Sequence, residues 1–353
     1  MAQIVAADVD IYPVLCGVWT SAIYRANHAV ARDVAKEIIA RAQGGPDQEA
    51  CLVGHITGGF TDLMAGELAP ARGHYVEAVD LYETRSAEAS LVDRYPIDLG
   101  AITYAYSAWC RWLLGQPDKA VQFIRPVHAV VDRSQHRFTT LRALYWTAVL
   151  HQFRGEWAIV RAQSDRLIAL AEDLSYAMGM AVGRILRGAA LTIIESDEVG
   201  MREMRTGLAA YLATGTRVEQ PYYLTLLAEV MRTRGLVEEG LAILDEARDR
   251  VQETGERYFE AEIHRTRGAL LLARRDAHIM EATASYQRAI EIARMQGARS
   301  LELRASAGLA RPWRDQGKCA EARDLLAPIY GWFTEGFDTP ILQDAKARLD
   351  ELA

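Results

Sequence analysis

The sequence predicts an all-α fold: a right-handed α-solenoid of about eight stacked helix pairs, closed by a C-terminal capping helix. Three observations carry this. Small residues recur every 40 positions, at Ala108, Ala148, Gly188, Ala228, Gly268 and Gly308, each inside an apolar segment of helical periodicity. Seven residues after the first four come Gly115, Gly155, Glu195 and Gly235, where a turn is expected. No segment alternates apolar and polar residues as a half-buried strand would.

Each element then follows in register. Unit one is marked by Trp19, Ala26 and Ala31, and unit two, 40 residues on, by Gly59, Gly66 and Ala71. The next step is 49 residues, so nine extra residues fall between 84 and 99, where Asp93, Tyr95 and Pro96 predict a longer loop. Five residues past each later turn stands a second small or apolar residue: Ala120, Val160, Gly200 and Gly240. In units seven and eight these elements arrive two residues late, at Ala277 with Ala282 and at Gly317 with Ala322. The resulting units are 9–44, 47–84, 97–134, 137–174, 177–214, 217–254, 257–297 and 299–331, with a cap at 332–353, all in one superhelical domain over 1–353. Unit six shows the logic. Pro221 to Arg234 and Glu238 to Glu253 read as two amphipathic helices. Gly235 falls between them because a left-handed turn residue costs least without a Cβ. The small residue before each turn and the one after it are expected to face each other. At the C-terminus, Asp338 or Thr339 can cap a helix whose first residue is Pro340. Trp332, Phe333 and Phe337 are expected to cover the open end of the stack.

The order of small residue, turn, small residue, aromatic, then Ala with an aliphatic partner resembles the tetratricopeptide repeat. It stands as Gly268, Ala282, Tyr286, Ala289, Ile290 and as Gly59, Gly66, Ala71, Tyr75, Ala78, Val79. The period exceeds the usual repeat of about 34 residues, which resembles the extended variety of large bacterial regulators. The stretches 226–241, 254–273 and 330–352 resemble the C-terminal repeat region of bacterial multidomain signalling proteins. Those proteins place a class III adenylate cyclase or a DNA-binding domain before an ATPase. The resemblance implies a regulatory scaffold or sensor part, with a cyclase, ATPase or DNA-binding regulator among its partners. The engine itself is not expected here: no GxxxxGK[ST] occurs, and Gly317-Lys318 is followed by Cys319. Glu195 at a turn position and Pro312 inside the last first-helix depart from the repeat pattern.

Composition excludes several classes of function. The net charge of −7 gives no global positive field for nucleic acid or an anionic membrane surface. Four widely spaced cysteines, Cys16, Cys51, Cys110 and Cys319, suggest neither a zinc knuckle nor a disulfide framework. The N-terminus lacks a basic residue before Arg25, and no apolar run approaches bilayer-spanning length, so a soluble cytoplasmic chain is expected. Eight histidines are scattered without HExxH; Glu260 and His264 share a helical face at best, and His128, His136 and His151 belong to different helices. No nucleophile elbow or Cys–His pair stands out. No cofactor or metal is expected, and the chain is read as non-enzymatic.

Function is therefore sought on the surface. In tetratricopeptide folds the first helix of each unit lines the concave face, at fixed offsets from its small residue. Those offsets select Trp109 and Trp112; Arg142, Tyr145, Gln152 and Phe153; Tyr222, Glu229 and Arg232; and Glu262 with Arg265. Aromatic and Arg side chains dominate binding surfaces when exposed together. They would make a groove for a protein or peptide partner, aromatic at its centre and charged further on. Two alternatives stay open: the aromatic residues fill the seams between repeats, or a metabolite wedges between repeats near Trp109, Tyr145 and Tyr222. Glu229 with Arg232 and Glu262 with Arg265 are also i, i+3 pairs that support each other without a ligand.

Overall fold

The structure is a computed structural model that describes residues 11–43, 47–84, 94–195, 198–274 and 278–352. Helices make up its regular structure, and no strand occurs among the described residues. They pair in chain order: α1 (Ile11–Tyr24) with α2 (His28–Gln43), and α3 (Gln48–Met64) with α4 (Leu68–Thr84). Then α5 (Leu99–Leu113) packs on α6 (Pro117–Gln122) and α7 (Ile124–Ser134), and α8 (Arg137–Arg154) on α9 (Trp157–Asp173). The later pairs are α10 (Ala177–Glu195) with α11 (Glu198–Ala213), and α12 (Gln220–Thr233) with α13 (Val237–Thr254). They end with α14 (Glu260–Ala273) and α15 (Ile279–Gln296), then α16 (Arg299–Asp315) and α17 (Cys319–Trp332), and finally α18 (Pro340–Glu351). The first helix of each pair also touches the first helix of the next, forming the inner layer.

Local chemistry explains the breaks. The second helix of unit three is split at Phe123 because Pro126 cannot donate to the carbonyl of Gln122 and its ring crowds that turn. Asp47 and Asp98 cap α3 and α5 by accepting backbone N–H groups of the first turn. Gly115 takes the left-handed conformation (φ 83°) at its turn, whereas Ala26 does so in unit one (φ 55°) without the relief of a missing Cβ. At Glu195 the first helix simply ends, and residues 196–197 and Ala277 lie outside the described residues. Pro312 is accommodated inside α16, which continues to Asp315. The extra residues between units two and three are described only from Arg94 on, where Tyr95 is buried and Arg94 pairs with Glu49 at 2.8 Å.

The small residues of the repeat are where helices approach most closely. A Cβ on Gly188 would stand 2.4 Å from the carbonyl oxygen of Gly200, and a Cβ on Gly200 2.6 Å from that of Gly188. The expected facing of the two small positions thus holds in unit five. Gly268 and Gly308 instead make room for the ring of Tyr286, with a Cβ on either falling 2.8 and 2.4 Å from it.

A feature the repeat does not disclose is how tightly the stack coils. The backbone N–H of Arg217 donates to Tyr24 O, and that of Arg257 to Met64 O, each at 2.7 Å. The Ser300 hydroxyl donates to Trp112 O at 2.6 Å, while a Cβ on Gly155 would stand 3.8 Å from the ring of Pro340. In the first three cases the turn of one unit meets the start of the unit five further on, and in the fourth the turn of unit four meets the start of α18. The second superhelical turn therefore rests on the first, and much of the inner layer is covered.

Two expectations need correction. Helix α10 is in fact long and apolar enough to cross a membrane by length and composition. It is packed between α9 and α11 with most of its residues buried, so its apolarity serves the core. At the end cap only Phe333 is buried; Trp332 and Phe337 are 44% and 49% exposed. Trp332 leans over the unit-three turn beside Arg299 instead of covering the end, and α18 does the covering with Leu342 and Ala345. Thr339 occupies the cap position before Pro340, but its hydroxyl donates to Gly336 O and not to the helix.

Candidate functional site

The covered inner layer decides where the groove residues go. Trp109, Trp112 and Tyr222 are fully buried, and Tyr145 nearly so. Trp109 Nε1 donates to Trp146 O at 2.9 Å, Trp112 stacks on Phe153 with ring centroids 4.9 Å apart, and Tyr222 donates to Gln152 Oε1 at 2.9 Å. These rings fill seams between first helices, Tyr222 reaching past unit five to α8, and are not presented to solvent, which corrects the expectation of an exposed aromatic centre. Arg142 and Gln152 are also buried.

The charged half of the prediction stays open. Glu229, Arg232 and Arg265 line a groove of about 790 Å³ bounded by first helices of units four to eight and by α18. Arg265 is held by Glu262 at 2.9 Å and Glu229 at 3.2 Å, Arg232 pairs with Glu229 at 2.8 Å, and Arg304 pairs with Glu262 at 3.0 Å. Burial works against the charge of Glu229, but Arg265 and Arg232 outweigh it and hold its carboxyl down at about 2. The ladder is thus a fixed array of charges on a rigid wall. Sequence reasoning missed Arg304, Arg311 and Arg348, which complete this wall. They lie at helix positions outside the offsets applied, or on the capping helix, and only the superhelical coil brings them round.

Six arginines (154, 232, 265, 304, 311 and 348) face the groove against Glu229, Glu262, Asp315 and Asp344. Arg154 is already paired with Glu156 at 2.9 Å, so the described lining still carries more arginine than carboxylate, in a chain whose net charge is −7. Arg311 is exposed at the rim. Such a surface attracts carboxylates, and Arg presents a planar fork suited to them.

A second cavity, of about 290 Å³, lies inside the first superhelical turn. Its walls come from α1, α3, α5, α8 and α10 and from the segment of Tyr95, Pro96 and Ile97. Tyr145 reaches it from α8 and donates to Glu219 Oε2 at 2.6 Å. Burial pushes the Glu219 carboxyl up to about 7, with nearby Glu256 adding to the rise. Glu219 takes a left-handed backbone (φ 61°) immediately before α12, and its N–H donates to Glu256 Oε2. His28 of unit one stands 3.4 Å from the same Glu256 oxygen.

The remaining titratable candidates have structural roles. His136 caps α8, His151 contacts Glu156, and His264 is pushed down to about 4 by burial and by Arg288, Arg248 and Arg267. Among the described residues no cluster of three or more His, Cys, Asp or Glu could hold a metal. Burial pushes the Cys110 thiol up to about 12, so it is no nucleophile near neutral pH.

The repeat, the paired helices and the coiled inner layer define an α-solenoid of the tetratricopeptide type. No protein-family model matches the chain. A protein of Rhizobium meliloti (strain 1021) described as uncharacterized is 26% identical over 225 residues, 64% of this chain. The match spans 22% of that protein's length. Among solved structures, a Rap protein complexed with competence and sporulation factor superposes with a TM-score of 0.61 at 11% identity, covering 96% of each chain. Aspartyl phosphate phosphatase F from Bacillus subtilis gives 0.53 at 8% identity over 92% of this chain and 94% of its own. The apo form of RapI gives 0.51 at 11% over 84% and 98%. At these identities the likeness is one of fold.

Proposed function

We propose that the protein is a non-catalytic regulatory scaffold of the bacterial cytoplasm that binds an acidic segment of a partner protein in the groove of units four to eight. The observation that carries this is the excess of arginine over carboxylate on that wall, on a chain that is otherwise acidic. Fixed ion pairs from Glu229 to Arg304 present these charges without reorganisation, which favours selectivity. A solenoid of the same extent is known in complex with competence and sporulation factor, which supports a groove of this kind as a binding surface. A cyclase, ATPase or DNA-binding regulator is the class of partner that the repeat resemblance suggests.

The test is fluorescence anisotropy with two labelled peptide pools of equal length, one acidic and one basic. The acidic pool should bind saturably, weaken as salt is raised, and lose most of its affinity to Arg311→Glu while the circular dichroism spectrum is unchanged. Equal binding of both pools, or binding indifferent to Arg311→Glu, would sink the proposal.

A further inference from the structure

The inner cavity of the first superhelical turn carries a feature that neither packing nor the groove accounts for. Arg142 projects into it from α8 and is only 8% exposed. Its Nε has no hydrogen-bond partner, and no ion pair to it forms among the described residues. The guanidinium is flanked by the faces of Tyr145 and Trp146, 5.2 and 5.0 Å from their ring centroids. Cation–π contact offsets part of the cost of burying a charge, but it leaves the N–H fork unused. An arginine stays charged even there, and a buried charge without a counter-ion is costly. Glu219 lines the same cavity; its Oε2 accepts from the Tyr145 hydroxyl and its Oε1 is buried without a partner, yet no ion pair joins it to Arg142 among the described residues.

Beyond Glu219, two threonines and the tyrosines, the described wall is mostly apolar, with Trp19, Ile56, Phe60 and Val182 facing the space. Its volume of about 290 Å³ sits at the small end of ligand pockets, roughly 300–1,000 Å³. One fixed cation at one side of an apolar chamber matches a molecule with one anionic head and an apolar body. A phosphate head fits less well, since among the described residues Arg142 is the one cationic side chain on the wall and no lysine accompanies it.

We infer that this cavity is a binding site for a small apolar monocarboxylate, its carboxylate taken by the Arg142 fork and its hydrocarbon or aryl body held by the aromatic wall. The inference is independent of the groove. The cavity's lining joins units one and two to units four, five and six, so occupancy would also brace the contact between superhelical turns.

Submicellar octanoate and 3-phenylpropionate serve as probes, with octanol, octylamine, acetate and inorganic phosphate as comparisons. Octanoate should raise the melting temperature saturably, as any ligand of the native state alone does, and should bind by calorimetry at least tenfold more tightly than octanol. Octylamine, acetate and phosphate should leave the melting temperature unchanged. Arg142→Gln should erase the preference for octanoate over octanol, with partial return in Arg142→Lys. If Arg142→Gln does not fold, Val182→Phe fills the chamber instead and should abolish binding of both. No saturable binding of octanoate, equal affinity for octanol, or full binding by Arg142→Gln or Val182→Phe would overturn the inference. Failure here leaves the peptide measurements untouched, because those read Arg311 on the opposite part of the solenoid.

Discussion

Ser300 and Trp112 are joined by a hydrogen bond of 2.6 Å across 188 residues of chain, the serine hydroxyl donating to the tryptophan carbonyl. That carbonyl also accepts from Gly115 N–H at 3.0 Å, so the bond fastens a whole turn of unit three to the start of unit eight. Removing the hydroxyl in Ser300→Ala leaves the carbonyl one partner and should cost only about 0.5–1.5 kcal/mol. Ser300→Asp would set a carboxylate against the carbonyl and part the two superhelical turns. Small-angle scattering should then show a larger radius of gyration, and hydrogen exchange should quicken at Gly115 and Gln116. An unchanged radius in Ser300→Asp would mean that the coil is held elsewhere.

Gly188 and Gly200 let α10 and α11 touch backbone to backbone. Gly188→Ala forces a methyl to within 2.4 Å of Gly200 O, an overpacking that typically costs about 1–3 kcal/mol. Gly73, on the exposed side of α4, has nothing within 4 Å of its missing Cβ. There Gly73→Ala should stabilise by about 0.5–1 kcal/mol through helix propensity. Denaturant midpoints for the two variants should move in opposite directions; movement the same way would refute the packing role assigned to Gly188.

The same residues show what was and was not legible beforehand. Ala148, Gly188 and Ala228 reveal the helix pairs because close packing demands small side chains at a fixed period. Trp109 and Tyr145 stand at offsets that face inward in such a unit. Whether inward means groove or core depends on superhelical pitch, which no single repeat encodes. Pitch arises from the sum of small rotations at every interface and is fixed by contacts such as Arg257 to Met64. For the same reason Arg304 and Arg348 could not be joined to Glu262 and Arg232 from spacing alone. Trp332 misled because an aromatic near the chain end suggests a cover, whereas a coil of five units per turn offers it a neighbouring turn instead.

Phe333 and Trp332, adjacent in sequence, should therefore behave differently. Phe333 is 4% exposed against Leu342 and Ile329, and Phe333→Ala should cost about 3–5 kcal/mol. Trp332 is exposed on one side and flanked by Arg299 at 5.5 Å; Trp332→Ala should cost well under half as much. Urea unfolding of the two variants measures this, and equal losses would restore both residues to the end cover.

Glu219 should make stability depend on pH in a direction opposite to that of an ordinary ion-paired carboxylate. Its carboxyl is pushed up to about 7 by burial, whereas in the unfolded chain a glutamate ionises near about 4.3. Between those values the native state holds a proton that the unfolded state has released, so stability falls as pH rises through this window and levels off above about 7. The loss is on the order of a few kcal/mol, at about 1.4 kcal/mol per unit. Glu229 acts in a separate window: held down at about 2, it contributes stability that is present above about 4.3 and lost only as pH falls towards 2. Glu219→Gln mimics the protonated group and keeps a polar partner for Tyr145. The melting-temperature difference between Glu219→Gln and the parent chain should be near zero at pH 4.5 and grow in favour of the variant up to pH 7.5. Taking the difference removes the titration of His55 and His128, which are common to both chains. A difference that stays flat across this range would show that Glu219 is already ionised in the native state and that Arg142 is closer to it in solution than the inner cavity allows.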